Sequence, residues 1–273
     1  MDISLLKEIC RAECEAISNL PSSSKGKIVK RGASGDITKM IDKVAEEAAV
    51  RCLQELGFEG SLLSEELGLV KIGGENYPLV VLDPIDGTTN AIRGINLYSI
   101  SVALSDGPRL SDIVSAAVME LPSKRLFSAE KGAGAFLDGT RINTNGHVAL
   151  SNALVGVDFN VRGNRGRVYE VLPVLMAVKH IRNLGSAALG LCYTASGSLD
   201  FYLDNRSLLR VTDIASAYLI LKEAGAQVLA LDGSELDCPL DLTARIELIA
   251  GEEKICREVL SMIGSRNNRL NKL

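Results

Sequence analysis

The stretch "LVVLDPIDGTTN", residues 79–90, places two acids, Asp83 and Asp86, directly after an apolar run. The apolar run predicts a buried strand. A buried strand that ends in carboxylates is costly unless a cation meets them. Pro84 stiffens the turn between the two acids, and Gly87 lets the backbone approach a ligand closely. The stretch therefore raises the question of which cation the two carboxylates bind.

Length and composition place the chain among globular proteins. It has 273 residues, of which 47% are hydrophobic and 23% charged, enough for a large core in one unit or in two joined lobes. A formal net charge of -4 and a pI of about 5.4 argue against a nucleic-acid partner. No apolar run approaches the roughly 20 residues of a membrane span, and the N-terminus has no signal-peptide core. We therefore expect a cytoplasmic protein that binds neither nucleic acid nor membranes.

The six cysteines, at positions 10, 14, 52, 192, 238 and 256, include no Cys-x-x-Cys pair. We interpret them as small buried residues in a reducing compartment, since free cysteine packs like a small apolar side chain. A zinc site or a disulfide remains the open alternative.

The first part of the chain predicts helices followed by many strands. Apolar residues at helical spacing predict a helix over residues 3–18 and a second over 41–56 that ends at Gly57. The segment 21–36 between them is polar and rich in Ser, Gly and Lys, and we expect a loop there. Apolar and β-branched stretches then predict several strands, including a hairpin at "AFLDGTRIN".

From about residue 147 the pattern changes to alternating strands and helices. One of these helices, at "TDIASAYLILKEAG", is almost wholly apolar and is therefore expected to be buried on most sides. The alternation predicts an α/β architecture. We divide the chain into an α+β half over residues 1–146, with most of the candidate ligands, and an α/β half over 147–273, so that the fold class is α/β.

Five acids lie where predicted elements meet: Asp42, Glu65, Asp83, Asp86 and Asp213. Each taken alone is most simply a helix cap, a turn residue or a solvated charge. Taken together, they offer the oxygen ligands that magnesium prefers. A helix beginning at Gly87 would place free N–H groups beside them, and such groups bind anions. A cation site next to an anion site predicts a phosphate monoester as the ligand.

Four stretches of the sequence resemble the inositol monophosphatase family of lithium-sensitive, magnesium-dependent phosphatases. "LDPIDGTTN" resembles the first family signature and "RVTDIASAYLILKEAGAQV" the second. "GDITKMID" and "SLLSEE" resemble two further acidic motifs, in the order in which the family has them. Thr212 stands where the second signature usually has Trp, and Ala226 replaces its second Gly. The resemblance covers nearly the whole chain.

The resemblance implies a layered αβαβα sandwich of the sugar phosphatase type, assembled as a homodimer. It implies two or three Mg2+ ions in each active site, with Mn2+ as a substitute and Li+ as an inhibitor. The implied metal ligands are Glu65, Asp83, Asp86, Asp213 and the backbone carbonyl of Ile85. Asp42 and Thr88, helped by Glu65, would orient and deprotonate the attacking water. The N–H groups of Gly87 and Thr88 would hold the phosphate.

The second half of the chain is expected to select the substrate. "IRNLGSAAL" resembles a family segment that implies Arg182 and Ala187 near the substrate, and Asp86 is a further implied substrate contact. Relatives specific for inositol phosphate carry Glu where this chain has Arg206, and arginine favours a second phosphate. The pairing of Arg182 with Arg206 resembles the archaeal branch that acts on both fructose 1,6-bisphosphate and inositol 1-phosphate, so we expect both activities.

Other functions remain open at this point. The chain resembles, in the same family, a dedicated inositol monophosphatase or a phosphatase of adenosine 3',5'-bisphosphate or NADP, although an aromatic content of 4% offers little purine stacking. In a different class, it would be a non-catalytic dimer that binds magnesium and sugar phosphates. The arginines of "VRGNRGR", residues 161–167, are interpreted as a solvated turn, and contact with a second phosphate is the open alternative.

Overall fold

The computed structural model describes residues 3–33, 35–162 and 164–270, with side chains as far as residue 264. The chain begins with α1 (Ile3–Ser18), α2 (Ser22–Lys25), a hairpin of β1 (Ile28–Arg31) and β2 (Ile37–Lys39), and α3 (Met40–Glu55). The helices α1 and α3 lie where their apolar spacing predicts them. Gly57 follows α3 in the left-handed conformation, with φ of 64°.

The segment 21–36 corrects our prediction of a loop, because it contains α2 and β1. The hairpin is held in place by contacts with Glu66 rather than by an apolar face of its own that packs in the core. The Ala33 N–H donates to the Glu66 carbonyl at 3.1 Å, and the Thr38 hydroxyl donates to the Glu66 carboxylate. Such tertiary contacts leave no apolar alternation in the sequence, so the pattern gave no sign of the strands.

The first large sheet has eight strands and one short helix along the chain. Its elements are β3 (Ser61–Ser64), β4 (Gly68–Lys71), β5 (Leu79–Asp86), α4 (Thr88–Arg93), β6 (Ser99–Ser105), β7 (Ile113–Glu120), β8 (Arg125–Glu130), β9 (Gly134–Leu137) and β10 (Thr140–Ile142). The strand order is β10-β9-β8-β7-β6-β5-β3-β4, and the neighbours are antiparallel except β3 and β5. The predicted hairpin at β9 and β10 is confirmed, with Asp138 and Gly139 both at positive φ.

The second sheet has five strands that alternate with helices. Its elements are β11 (Leu154–Val157), α5 (Gly166–Ala177), β12 (His180–Arg182), α6 (Ala187–Ala195), β13 (Phe201–Leu209), α7 (Val211–Glu223), β14 (Gln227–Leu229), β15 (Ile246–Gly251) and α8 (Glu253–Leu270). The strand order is β12-β11-β13-β15-β14, with β11 parallel to both of its neighbours. The alternation predicted from residue 147 onward is thereby confirmed.

Three clusters of buried side chains show how the layers stack. One lies between α1 and α3 and the first sheet, and another lies between the second sheet and the pair α5 and α8. The third joins the two sheets through α6 and α7, whose residues are buried on nearly every side. The fold is therefore the αβαβα sandwich that the family resemblance implied, with α6 and α7 as its middle layer. Among the described helices, none is long and apolar enough to cross a membrane.

Candidate active site

The decisive stretch forms the end of β5 and the start of α4. The pairing of β5 with β6 is irregular between Asp83 and Asp86, where the strand distorts. The Asp83 carboxylate accepts the N–H of Ile85 at 3.1 Å, which tightens this turn. Gly87 has φ of 92°, and a Cβ at this position would lie 3.0 Å from the Leu97 carbonyl oxygen. Only glycine fits there, so the backbone can turn directly into α4.

Three of the predicted ligands converge at one point. Carboxylate oxygens of Glu65, Asp83 and Asp213 all lie within 4.8 Å of one another. Since β3 and β5 are parallel neighbours, Glu65 and Asp83 lie at the same edge of the sheet. The apolar helix α7 brings Asp213 to the same edge, in its first turn. A set of oxygen donors alone fits a hard divalent cation such as Mg2+.

The charges of this cluster are poorly compensated by the protein. Burial and, as the next largest cause, the neighbouring Glu65 raise the pKa of Asp213 to about 8. Burial also raises the pKa of Asp83 well above its usual value, with Glu65 and Asp86 as further causes. A divalent cation between these carboxylates would favour their ionised forms and reverse both shifts. The electrostatics of the cluster therefore favour a bound metal ion.

Asp42 and Thr88 form a hydrogen-bonded pair beside the cluster. The Thr88 hydroxyl lies 3.0 Å from Asp42 Oδ1 and 3.0 Å from the carbonyl oxygen of Ile85. Because the hydroxyl has one proton, donation to Asp42 leaves the Ile85 carbonyl available to another partner. Burial raises the pKa of Asp42 to about 7, against the hydrogen bonds from Lys39 and Thr88. A carboxylate with this pKa can accept a proton near neutral pH.

Asp86 is oriented towards α6 rather than into the three-carboxylate cluster. Its carboxylate accepts the hydroxyl of Ser186 and the N–H groups of Ala187 and Ala188, the latter at 2.7 Å. Burial raises the pKa of Asp86 to about 6, and these hydrogen bonds limit the rise. Asp86 therefore joins the first sheet to the start of α6.

A cleft of about 330 Å³ contains nearly all of the candidate residues. Those that line it are Asp42, Glu65, Asp83, Ile85, Asp86, Gly87, Thr88, Ala187, Arg206 and Asp213. Arg182 is not among the residues that line this cleft. It is exposed on the edge strand β12, where its guanidinium contacts the Ile181 carbonyl at 2.9 Å. The structure thus brings together every predicted site residue except Arg182.

Arg206 reaches the cleft with its charge already compensated. Its guanidinium contacts Asp204 through two nitrogens and Asp158 at 2.7 Å. Only 9% of the Arg206 side chain is exposed, and Asp204 is fully buried. The sequence did not indicate the pairing with Asp158, which lies 48 positions earlier in the chain.

Two further arginines, Arg210 and Arg162, line the cleft, and our sequence analysis did not assign either of them to the site. Arg210 donates to Glu65 and to Asp36, and the pattern "RVTD" places it three residues before Asp213. Arg162 lies 3.6 Å from Asp36 and is 58% exposed. Its loop was interpreted as solvated, and the position of that loop over the cleft follows from the tertiary fold alone.

Comparisons with known proteins agree with this geometry. The sequence profile of the inositol monophosphatase family matches residues 5–263. A fructose-1,6-bisphosphatase/inositol-1-monophosphatase of Methanothermobacter thermautotrophicus is 39% identical over 234 residues, which span 82% of this chain and 82% of the relative. A bifunctional NADP phosphatase/NAD kinase of Methanocaldococcus jannaschii is 34% identical over 88% of this chain, which spans 46% of that longer protein. A solved structure of an inositol monophosphatase-fructose 1,6 bisphosphatase matches with a TM-score of 0.81 at 29% identity, covering 95% of this chain and 98% of the other.

Proposed function

This chain belongs to the inositol monophosphatase family, and we propose that it is a magnesium-dependent phosphatase of fructose 1,6-bisphosphate and inositol 1-phosphate. The observation that carries the proposal is the cluster of Glu65, Asp83 and Asp213, which lies in one cleft with the start of α4. A phosphate ester brings negative charge to a cleft that is already acidic. Hydrolysis therefore requires cations that the carboxylates are placed to hold.

The residues that would hold the metal are the three clustered carboxylates, with Asp86 and the Ile85 carbonyl as further ligands. We propose two or three Mg2+ ions in each site, with Mn2+ as a substitute and Li+ as an inhibitor. When bound, these ions supply Lewis acidity towards the phosphate oxygens and make water easier to deprotonate. The oxygen-only donor set and the raised pKa values of Asp83 and Asp213 support this proposal.

The chain's own acid–base group in this mechanism is Asp42, positioned by Thr88. The attacking water gives a proton to Asp42 Oδ1 while its oxygen forms the new bond to phosphorus. The bond between phosphorus and the ester oxygen breaks, the leaving oxygen takes up a proton from solvent, and Asp42 later returns its proton to solvent. The pKa of about 7 for Asp42 supports this role, because a general base works best when its pKa lies near the working pH. Glu65 would take part by orienting the same water.

The phosphate itself would lie against the turn between β5 and α4. Gly87 and Thr88 begin the short helix α4, so their N–H groups have no partner within it. The left-handed Gly87 brings this backbone into the cleft. We propose that these two N–H groups hold the phosphate oxygens, with Ala187 on the opposite side of the cleft.

The choice of substrate is supported by the relatives and by the arginines near the cleft. The named relatives include fructose-1,6-bisphosphatase/inositol-1-monophosphatases, and also NADP phosphatase/NAD kinases. Arg206 and Arg162 both line the cleft, where either could meet a second phosphate. Because Arg206 is shared with two acids, it would act on a phosphate only by exchanging one of them. The relatives make NADP phosphatase activity the second candidate.

The first experiment is phosphate release from fructose 1,6-bisphosphate, inositol 1-phosphate and NADP in parallel, with Mg2+ and with EDTA. We expect turnover of the first two esters that EDTA abolishes. Turnover of NADP alone would move the protein to the second candidate, and turnover of inositol 1-phosphate alone would make it a dedicated monophosphatase. Thr88→Ala distinguishes a phosphatase from the non-catalytic binding protein. In a phosphatase, this variant loses turnover while ligand binding persists. Release from none of the three esters would contradict the proposal.

We also propose that the protein is a cytoplasmic homodimer. The helix α5 exposes apolar side chains on one face, with Tyr169 60%, Leu172 37% and Met176 79% exposed, at helical spacing. The neighbouring edge strand β12 exposes Ile181 and carries Arg182. Sedimentation equilibrium of the wild type and of Met176→Lys tests this, with Met119→Leu as a buried control. A wild-type protein that sediments as a monomer would contradict the homodimer.

A further inference from the structure

The strand β13 loses its regular pairing where it reaches the cleft. It pairs with β15 from Phe201 to Asp204, and the pairing resumes only at Leu209. Residues 205–208 therefore lie opposite the single residue Glu247 of β15. An excess of residues on one strand of an antiparallel pair is a β-bulge, which bends the strand and redirects its side chains. We call residues 205–208 the β13 bulge.

Ser207 forms the turn of the β13 bulge. Its φ of 56° lies in the left-handed region, which is uncommon for residues other than glycine. In a regular strand, consecutive side chains point to opposite faces. After Ser207, however, Leu208 and Leu209 both line the cleft, as does Arg206 before it. The left-handed turn therefore decides which side chains of β13 lie in the cleft.

A polar network outside the cleft holds the β13 bulge in place. The buried side chain of Asn205 donates to the carbonyl of Arg167 at 2.7 Å. The Arg167 guanidinium lies 2.6 Å from the carboxylate of Glu247. Burial raises the pKa of Glu247, whereas the charge of Arg167 and a hydrogen bond from Ser207 lower it. Because Asn205, Arg167 and Glu247 do not line the cleft, they fix the bulge without reaching a ligand there.

The β13 bulge controls the position of Arg206 because this residue is anchored at its backbone and at its side chain. The backbone N–H of Arg206 donates to the Asp204 carboxylate at 3.0 Å, and the guanidinium contacts the same carboxylate. The guanidinium also lies 2.7 Å from Asp158. With 9% of the side chain exposed, it has little room to adjust by itself. A change in the backbone at Ser207 is therefore transmitted to the guanidinium.

We propose that Ser207 is a positioning residue whose left-handed backbone sets where Arg206 meets the second phosphate of a substrate. The inference rests on the proposed function, in which Arg206 exchanges one of its acids for a phosphate. A guanidinium binds a phosphate well only when its fork of nitrogens matches the phosphate oxygens. A displaced bulge therefore weakens the contact with a second phosphate and leaves an ester with one phosphate unaffected. Ser207 selects the substrate without touching it, since it does not line the cleft.

The test changes the backbone preference at position 207 and measures kcat and KM for two esters. Valine is β-branched and strongly disfavoured at positive φ, so Ser207→Val forces the bulge onto another path. We expect the KM for fructose 1,6-bisphosphate to rise about fivefold or more, because a charge-assisted contact is lost. The KM for inositol 1-phosphate, and kcat for both esters, should stay within about twofold of the wild type. Ser207→Gly, which adopts the left-handed region freely, should restore the KM for the bisphosphate.

Lys124 provides the matched control. It lies at φ of 59° in an exposed turn between β7 and β8 and does not line the cleft. Lys124→Val introduces the same kind of strain there, so we expect both KM values to be unchanged, and urea unfolding of both valine variants measures the strain itself. Ser207→Ala keeps the test decisive where Ser207→Val fails to fold. Alanine lacks the hydroxyl that bonds to Glu247, and we expect the KM for the bisphosphate to rise about threefold.

The outcomes separate this inference from the proposed function. Three results would overturn the role of Ser207 and leave the proposed function intact: a KM for the bisphosphate within about twofold of the wild type in the folded variant, equal increases in KM for both esters, or no restoration in Ser207→Gly. A wild type that releases phosphate from neither ester, or from inositol 1-phosphate alone, would contradict the proposed function and this inference with it.

Discussion

Two groups of side chains at the cleft differ in how the protein compensates their charge. The acidic wall is Glu65, Asp83 and Asp213, and the balanced wall is Arg206 with its partners Asp204 and Asp158. On one wall, Glu65, Asp83 and Asp213 crowd together, and burial raises the pKa values of Asp83 and Asp213. On the other, Arg206 lies between Asp204 and Asp158 in close ion pairs. On the first wall the negative charge exceeds what the protein compensates, whereas on the second wall a guanidinium contacts both acids directly. Excess buried negative charge indicates a site for a cation, whereas acids that already contact a guanidinium say little about the ligand.

The difference also separates what each wall does for folding. Uncompensated buried carboxylates destabilise the folded state unless they are protonated or bound to a cation. A buried ion pair resists change for the opposite reason, since removing one partner leaves the other unpaired.

The largest effect is expected from Asp213→Asn on the acidic wall. The variant keeps an oxygen that can accept the Arg210 N–H but removes a charge from the metal cluster. A loss of several kcal/mol in charge stabilisation lowers kcat by about a thousandfold or more. Steady-state phosphate release measures this. The control is Asp112→Asn, because Asp112 caps a short helix through the Arg109 N–H in the same manner and lies outside the cleft. Unaltered turnover in Asp213→Asn would show that Asp213 is not part of the catalytic site.

The next effect is on the balanced wall and concerns stability. Arg206→Met leaves Asp204 fully buried without its cation, and removal of one partner from a buried pair costs about 3 to 5 kcal/mol. Urea unfolding measures the loss, and adding Asp204→Asn to the variant should recover part of it. Arg167→Met is the matched control, since Arg167 also pairs with two acids but is 27% exposed. Equal losses in the free energy of unfolding in the two variants would show that the burial of Arg206 does not determine the cost.

A smaller effect is expected from pH, at a buried carboxylate that lies outside the cleft. Burial raises the pKa of Glu46 to about 7, although the Ser64 hydroxyl and the Leu67 N–H both donate to it. The folded state therefore holds this proton more tightly than the unfolded state. The resulting stability is complete below the usual pKa of 4.5 and is lost as the pH rises through about 7.

The measurement is urea unfolding in EDTA between pH 4 and pH 8. Such a group contributes at most about 1.4 kcal/mol per pH unit, and only between its pKa values in the unfolded and folded states. Glu46→Gln keeps an acceptor for both hydrogen bonds and should flatten part of the decline. Glu47→Gln, on the exposed face of the same helix, should leave the slope unchanged. A slope that Glu46→Gln does not alter would show that burial of this carboxylate is not its cause.

The acidic wall could be predicted from the sequence, and the balanced wall could not. Asp83 and Asp213 follow or begin elements with strong apolar patterns, so their positions at element ends were readable. The pairing of Arg206 with Asp158 depends on how β11 and β13 lie together, and no local pattern carries it. Arg182 resembled a substrate ligand in its motif, yet β12 places it on an exposed edge. Local patterns fix elements, whereas the neighbours across a cleft follow from their packing.

The smallest effect is expected from the exposed arginine at the rim of the cleft. Arg162 is 58% exposed and lies 3.6 Å from Asp36, and an exposed pair of this kind contributes at most about 1 kcal/mol. Its guanidinium is therefore more readily available to a second phosphate than that of Arg206. Arg162→Gln should raise the KM for fructose 1,6-bisphosphate by about threefold to tenfold, because a charge-assisted contact is lost. The KM for inositol 1-phosphate, which has no second phosphate, should stay unchanged.

Arg165→Gln is the control for this comparison, since Arg165 is exposed in the same loop but does not line the cleft. Parallel increases in KM for both esters would show that Arg162 acts on the shared phosphate or on the hairpin. An unchanged KM for both esters would indicate that Arg206, rather than Arg162, binds the second phosphate. In that case the balanced wall would have to open, with Asp158 released when the bisphosphate binds. Asp158→Asn should then lower the KM for the bisphosphate, because the arginine would no longer be shared.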